Sequence, residues 1–134
     1  MTGAKEVKSD RLYTRDHEWA LSHGDEVLIG ISAFAVDQLG DITLVDLSTT
    51  PGQHLERHQS FGTIESVKTL SDLFSPVPGT VVRINQDLLD KPEWVNEDCW
   101  DKAWMIAIRP DEPLKPGDDI MDPATYATHL EQTG

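Results

Sequence analysis

Apolar and polar positions in this chain change over short stretches, which predicts many short strands. The apolar, β-branched runs at 26–32 and 41–47 are typical of buried strands. Between them, the spacing of apolar residues over 33–39 predicts two helical turns that end at Gly40. The first third of the chain is therefore predicted to be strand, short helix and strand.

A polar stretch around Lys68 separates two further predicted strands, 60–67 and 73–77. A lysine at the tip of such a hairpin is expected to be held out from the domain with its amine in solvent. Pro78 and Gly79 have the signature of a type II turn, which needs positive φ at the glycine. The sequence thus predicts a hairpin around Lys68 in the middle of the chain.

The last part of the chain mixes short helices with one strand. A short helix is predicted over 86–94, a strand over 103–109, and a solvated loop over the acidic, proline-rich residues 111–120. A final helix is predicted over 122–132, with Asp122 as its N-cap. Together these elements indicate a mostly β domain with short helices and a C-terminal helix.

The length of 134 residues fits one domain spanning 1–134, and residues 1–10 are expected to form a flexible tail. With 24 acidic and 11 basic residues, the formal net charge is −13, which excludes nucleic acid as an expected partner. The charge fits either simple solubility or docking against basic surfaces of other proteins. We expect no membrane span and a bacterial cytoplasmic location, with a processed mitochondrial protein as the alternative.

Conventional catalytic and metal-binding patterns are weak. His54 and His58 are four residues apart, but they follow a Pro-Gly turn and lack the HExxH order, so we expect solvated loop histidines and no metal. Cys99 lies beside Trp100 among acids, a setting that raises a thiol pKa, and it is interpreted as structural. We therefore predict no catalytic residues.

Lys68 has two interpretations. It is either a solvated turn lysine that blunts an edge strand, or a modification site that is exposed and flanked by a shape that a modifying enzyme can read. Joining the amine to an acid as an amide would remove its charge and leave a long flexible tether.

The segment around Lys68 reads "FGTIESVKTLSDLFSPVPGTVV" at 61–82. This motif resembles the glycine cleavage system H protein family, and the similarity extends from about Leu12 to Arg109. A biotin carrier would instead place its lysine between two methionines, and no methionine lies near Lys68. The other matching motifs are "HEW" (17–19), "IGIS…A…LGDI" (29–42), "VDL" (45–47), "WVNED" (94–98) and Trp104 followed by "MIAI".

The resemblance implies a flattened barrel-sandwich hybrid of the lipoyl/biotinyl-carrier type, with lipoate joined covalently to Lys68. It implies a carrier and not an enzyme. The carrier takes an aminomethyl group from a pyridoxal-phosphate-dependent glycine decarboxylase to an aminomethyltransferase, and dihydrolipoamide dehydrogenase reoxidises it. A lipoate ligase or a lipoyl/octanoyl transferase would attach the cofactor.

The resemblance also implies roles for five neighbouring residues. Asp16, Glu18 and Asp72 match positions that line the family's arm-protecting cleft, where acids suit a protonated aminomethyl group. The alternative for Glu18 and Asp72 is a solvated surface charge or, for Asp72, a turn cap. Glu65 and Ser66 match the side of the hairpin that faces the ligase.

Two departures from the family pattern stand out. The stretch 99–104 reads Cys-Trp-Asp-Lys-Ala-Trp where the family usually has Pro-Tyr-Gly-x-Gly-Trp, so this loop is expected to be stiffer or differently shaped. His58 replaces a common turn glycine and is expected to adopt positive φ at some cost. The altered loop leaves one alternative within the family, an H-like protein that relays lipoyl groups to other enzymes.

His17 and Trp19 match the family pattern and are assigned to packing.

Overall fold

The computed structural model describes residues 6–117 and 119–133, which form two antiparallel sheets and four helices. The strands are β1 Leu12–Tyr13, β2 Glu18–His23, β3 Glu26–Ile31, β4 Ile42–Leu47, β5 His54–Leu55, β6 Ser60–Ser66, β7 Leu70–Phe74, β8 Gly79–Ile84 and β9 Ile106–Pro110. The helices are α1 Ala33–Leu39, α2 Gln86–Asp90, α3 Trp94–Glu97 and α4 Pro123–Thr133. The first sheet has the order β1-β2-β3-β9-β8-β5, and the second has the order β4-β6-β7.

The two sheets enclose one apolar core. In β4, for example, Val45 and Leu47 are buried whereas Leu44 and Asp46 are exposed, as the two-residue period of a strand requires. The three-stranded sheet therefore buries one face and presents the other to solvent. The predicted fold class is confirmed, and neither sheet closes on itself. Core residues from both sheets are Val27, Ile29, Ile31, Val45, Leu47, Phe61, Ile64, Leu73, Val81, Ile106 and Ile108.

A second, aromatic cluster joins α4 to the outside of the larger sheet. Tyr13 stacks on Tyr126 with ring centroids 4.3 Å apart. The buried Arg11 guanidinium lies over the rings of Trp19 and Trp100, at 4.6 and 5.4 Å from their centroids. These contacts fix the C-terminal helix and the segment before β1 to the same body.

Most predicted elements are present, but several boundaries differ. The helix predicted over 86–94 is two short helices, α2 and α3, and the strand predicted over 103–109 begins at Ile106. The N-cap of α4 is confirmed, since the Thr125 N–H donates to the Asp122 carboxylate at 2.7 Å. The second hairpin strand, predicted over 73–77, instead begins at Leu70. The reason is that Leu70 pairs with Glu65, so the ladder continues almost to the loop.

The predicted type II turn at Pro78-Gly79 is wrong. Gly79 is the first residue of β8 and has no positive φ. It pairs with Pro110, and a Cβ at this position would lie 2.6 Å from the backbone oxygen of Arg109. The position requires glycine because two strands approach closely, and not because a turn needs a left-handed residue.

The predicted flexible tail is only partly covered by the described residues. Residues 1–5 lie outside them. From Glu6 onward the chain contacts the body: Trp100 Nε1 donates to the Glu6 carboxylate at 3.0 Å, and the Tyr13 hydroxyl donates to the Lys8 carbonyl at 2.8 Å. Residues 6–8 are therefore packed and not free. No helix among the described residues is both long enough and apolar enough to cross a membrane.

Candidate functional site

Lys68 lies in the three-residue loop 67–69 between β6 and β7. The buried Ser66 closes this loop: its N–H donates to the Thr69 carbonyl at 2.8 Å, and its Oγ accepts from the N–H groups of Lys68 and Thr69 at 3.1 and 3.2 Å. A serine that accepts from nearby backbone groups in this way stabilises a tight turn. The backbone of Lys68 is thus held in place while its side chain is exposed.

The loop is also tied to the connection between α1 and β4. The Val67 N–H donates to the Asp41 carbonyl at 3.0 Å. Asn96 of α3 holds the same connection on both sides, since its amide donates to Gly40 O at 2.9 Å and accepts from Ile42 N at 2.8 Å. Sequence reasoning missed Asn96, although it lies within a matching motif, because its partners are more than 50 residues away.

Gly40 leaves room for the lysine side chain. It has φ of 81°, and a Cβ built on it would lie 3.3 Å from Lys68 Cε. A side chain there would press on the methylenes of Lys68 and would also be conformationally strained. Glycine at this position therefore serves both the helix end, as predicted, and the surroundings of the lysine.

Among the described residues, no ion pair involves Lys68, although the chain is strongly acidic. Glu65 is exposed on the outer face of the sheet, and Ser66 points inward. Of the two predicted hairpin residues, only Glu65 thus has a side chain that another protein can contact. Ser66 acts on the shape of the loop.

Glu18 is buried, with 3% of its surface exposed. The Thr14 hydroxyl donates to Oε1 at 2.7 Å, and the Phe74 N–H makes a long contact of 3.5 Å with Oε2. Loss of water raises the pKa of this carboxyl from its ordinary value of 4.5 to about 7, and the nearby charge of Asp16 adds to this effect. Interpreting Glu18 as a solvated surface charge is therefore wrong.

The three predicted cleft acids are not all brought together. Asp16 is exposed and lies within electrostatic reach of Glu18. Asp72 is exposed on the outer face of the sheet, opposite Thr63, and no hydrogen bond or ion pair joins it to Glu18 within the described part of the chain. Within residues 6–117 and 119–133, Glu18 and Asp72 are connected only through β7. Asp72 lies on this strand, and the Phe74 N–H that contacts Glu18 lies two residues, or about 7 Å, farther along it.

His17 contributes to packing, as predicted. Its backbone has φ of 72°, and its Nδ1 lies 2.8 Å from the hydroxyl of Tyr126, which in turn lies 2.7 Å from Ser32 Oγ. Burial lowers the pKa of His17. The network joins α4 to the start of β2 and α1.

The positions set aside as non-catalytic have ordinary partners. His54 Nε2 lies 2.8 Å from the Asp111 carboxylate on the surface, and the described residues contain no group of side chains arranged to hold a metal ion. His58 adopts positive φ, at 66°, as predicted. Burial raises the pKa of the Cys99 thiol to about 12, in agreement with a structural role.

Comparison with known proteins decides the family. The family model described as Glycine cleavage H-protein matches residues 11–133. The chain belongs to this family. It is 42% identical over 127 residues to the glycine cleavage system H protein of Anaeromyxobacter sp. strain K, covering 95% of this chain and 98% of that one. It is 44% identical over 125 residues to the H protein of Magnetococcus marinus, covering 93% and 88%.

The fold leads to the same family. A crystal structure of a glycine cleavage system H protein from Mycobacterium marinum matches with a TM-score of 0.83 and 31% identity, covering 93% of this chain and 99% of that one. H proteins are the lipoyl carriers of the glycine cleavage system and do not catalyse a reaction themselves. Membership implies the system's P, T and L proteins as partners.

Proposed function

We propose that Lys68 is the residue to which lipoate is joined. The observation that carries this assignment is an exposed lysine without an ion pair among the described residues, on a loop whose backbone is fixed by Ser66. In the attachment reaction, Lys68 Nζ attacks the carbonyl carbon of an activated lipoyl group, the activating group leaves, and the amine loses a proton. The product is a neutral amide.

The surroundings of Lys68 fit such a group. Gly40 leaves space beside the lysine methylenes, and the Asp41 and Asn96 contacts hold the root of the loop. A fixed root with a flexible side chain lets a tethered group reach separate enzymes at high effective concentration.

When bound, lipoate supplies a disulfide that accepts an aminomethyl group and is later regenerated from the dithiol. The partners that this chemistry requires are a pyridoxal-phosphate-dependent glycine decarboxylase, an aminomethyltransferase and dihydrolipoamide dehydrogenase. A lipoate ligase or a lipoyl/octanoyl transferase attaches the group. The bacterial relatives, together with the buried free thiol of Cys99, support a cytoplasmic location.

The proposed resting place of the arm is a path along β7 from Asp72 to the Glu18 carboxyl, with Asp16 within electrostatic reach of Glu18. A carboxyl whose pKa lies at about 7 releases its proton readily when a cationic group approaches, and then binds that group by a charge-assisted hydrogen bond. The exposed carboxylates of Asp16 and Asp72 add negative charge near this path.

The test is intact mass after expression with a supply of lipoate. We expect the wild type and a control variant at an exposed lysine, Lys115→Arg, to gain one lipoyl group, and Lys68→Arg to fold and gain none. On a native gel the modified wild type should migrate closer to the anode, because the loss of one positive charge changes its formal charge from −13 to −14. A lipoyl group on the Lys68→Arg variant would contradict the assignment.

A further inference from the structure

Thr14 and Glu18 lie opposite each other where the hairpin of β1 and β2 turns. Tyr13 pairs with Trp19, so Thr14 and Glu18 are the next opposed pair. The Thr14 N–H donates to the Glu18 carbonyl at 2.9 Å, and the Thr14 carbonyl accepts from the His17 N–H at 3.1 Å. These two backbone bonds fix the position of Thr14 relative to Glu18.

The side chain of Thr14 also bonds to Glu18 in two directions. Its Oγ1 donates to Glu18 Oε1 at 2.7 Å and accepts from the Glu18 N–H at 3.2 Å. A hydroxyl has a single proton, so this pairing commits the Thr14 proton to the carboxyl. Thr14 and Glu18 are 2% and 3% exposed, so water does not compete for these bonds.

The two carboxyl oxygens of Glu18 have unequal partners. Oε1 is held by the Thr14 hydroxyl, whereas Oε2 has, among the described residues, only the 3.5 Å contact with the Phe74 N–H. A carboxylate accepts about four hydrogen bonds, so Oε2 keeps most of its capacity. Phe74 ends β7, and this strand begins at Leu70, two residues after Lys68. The less occupied oxygen is therefore the one beside the strand that leads to Lys68.

We propose that Thr14 is a positioning residue of the carrier: its hydroxyl holds Glu18 Oε1 and thereby leaves Oε2 beside β7 for the cationic end of the arm. This role rests on the proposed resting place of the arm at Glu18. Because Thr14 is uncharged and buried, it acts through the glutamate and does not bind the arm itself.

The same hydroxyl favours the charged form of Glu18. Burial and the Asp16 charge raise the pKa of the carboxyl, and the hydrogen bonds from Thr14 and from the Phe74 N–H act in the opposite direction. From α4, the hydroxyl of Tyr126 also lies within electrostatic reach of Glu18. Without the Thr14 hydroxyl the carboxyl keeps its proton to a higher pH, and a protonated carboxyl is a poor acceptor for an ammonium group.

The first experiment needs no lipoate and follows the Glu18 carboxyl directly. The full-length unmodified chain, isotopically labelled in its glutamate carboxyl carbons, is titrated by NMR, and the Glu18 signal is assigned by its loss in Glu18→Gln. Thr14→Val replaces the hydroxyl by a methyl group of similar size, so Glu18 should titrate at higher pH than in the wild type. Thr14→Ser keeps the hydroxyl and should restore the wild-type titration. The control Thr128→Val removes an exposed hydroxyl from α4 and should leave the titration unchanged.

The second experiment measures the protection of the arm. The lipoylated chain is loaded from glycine by a glycine decarboxylase and isolated, and the release of formaldehyde then gives the half-life at neutral pH. In this decay water breaks the bonds that join the methylene carbon to nitrogen and sulfur, which leaves formaldehyde, ammonium and the free thiol. Thr14→Val and Glu18→Gln should each shorten the half-life by about threefold or more, whereas Thr14→Ser and Thr128→Val should not.

A double variant separates positioning from a general effect on the fold. Since Thr14 acts through the Glu18 carboxylate, Thr14→Val should shorten the half-life no further when Glu18→Gln is already present. A purely structural effect would add to that of Glu18→Gln. Thermal melts establish that every variant is folded at the temperature of the assay, and Thr14→Ala takes the place of Thr14→Val if the latter is unfolded.

The outcomes distinguish the role of Thr14 from the assignments on which it rests. If the wild type is not modified at Lys68, the proposed function fails and the role of Thr14 fails with it. If the loaded wild type and Glu18→Gln decay equally fast, the resting place at Glu18 is wrong, and so is the role of Thr14. If Glu18→Gln decays faster but Thr14→Val keeps the wild-type half-life or the wild-type titration of Glu18, the resting place stands and the role of Thr14 is overturned.

Discussion

Glu18 is the residue whose chemistry the fold alters in a way that experiment can measure. Its carboxyl is almost out of water and is held by the Thr14 hydroxyl and the edge of β7. Burial destabilises the charged form of the carboxyl, so the side chain keeps its proton to a higher pH than an exposed glutamate does.

Glu18 should make stability depend on pH between 4.5 and 7. The pKa of Glu18 is higher in the folded chain, at about 7, than its ordinary value of 4.5, so within this window the unfolded chain ionises while the folded chain holds the proton. Stability therefore falls as pH rises through the window, by up to about 3 kcal/mol at 1.36 kcal/mol per pKa unit.

The variant Glu18→Gln removes this dependence and checks it. The free energy of unfolding in urea is measured for this variant and the wild type at pH 4.5, 6 and 7.5, and the variant should become more stable relative to the wild type as pH rises. The exposed variant Glu112→Gln is the control, and its difference in unfolding free energy from the wild type should change little with pH. Parallel pH profiles for Glu18→Gln and the wild type would mean that Glu18 is ionised in the folded protein.

At the scale of elements, the pairing of β8 with β9 depends on glycine, which has no side chain, at position 79. Gly79 brings β8 against the Arg109–Pro110 backbone, where a Cβ has no room. This contact lies where the chain enters β8, directly after the hairpin that bears Lys68.

Gly79→Ala should therefore destabilise the protein by about 1–3 kcal/mol, because the strands must separate to admit the methyl group. The matched control is Gly117→Ala, where a Cβ meets nothing within 4 Å. The midpoint of urea unfolding measures both. Equal midpoints for the two variants would show that β8 and β9 have more room than the geometry indicates.

At the scale of the whole molecule, the excess of acids sets the response to salt. A net charge of −13 on 134 residues makes the folded state repel itself, and added salt screens this repulsion. The charge is spread over many exposed carboxylates, so the effect belongs to no single pair.

Raising sodium chloride from about 10 mM to 500 mM at pH 7 should therefore increase Tm by several degrees, since the Debye length falls from about 30 Å to below 8 Å. At pH 4, where many of the acids take up protons, the same addition should have a much smaller effect. A Tm that does not depend on salt at pH 7 would indicate that local ion pairs offset the repulsion.

The sequence by itself determined the mostly β fold, the C-terminal end of α1, the N-terminal end of α4 and the hairpin around Lys68. These features depend on residues close together in the chain: alternation within a strand, a side chain capping the next turn, or glycine at a helix end. The motif around Lys68 is also continuous in sequence, so the amino-acid order alone is enough to indicate the family.

Only the tertiary structure decided the burial of Glu18, the role of Gly79 and the bridging position of Asn96. Each of these depends on which segments lie side by side, and the segments are far apart in the chain: Asn96 and its two partners, for example, are separated by 54 and 56 positions. A local pattern gives the face on which a side chain lies but not the strand that lies opposite. Register between distant strands, and the loss of water that follows from it, are properties of the packed chain.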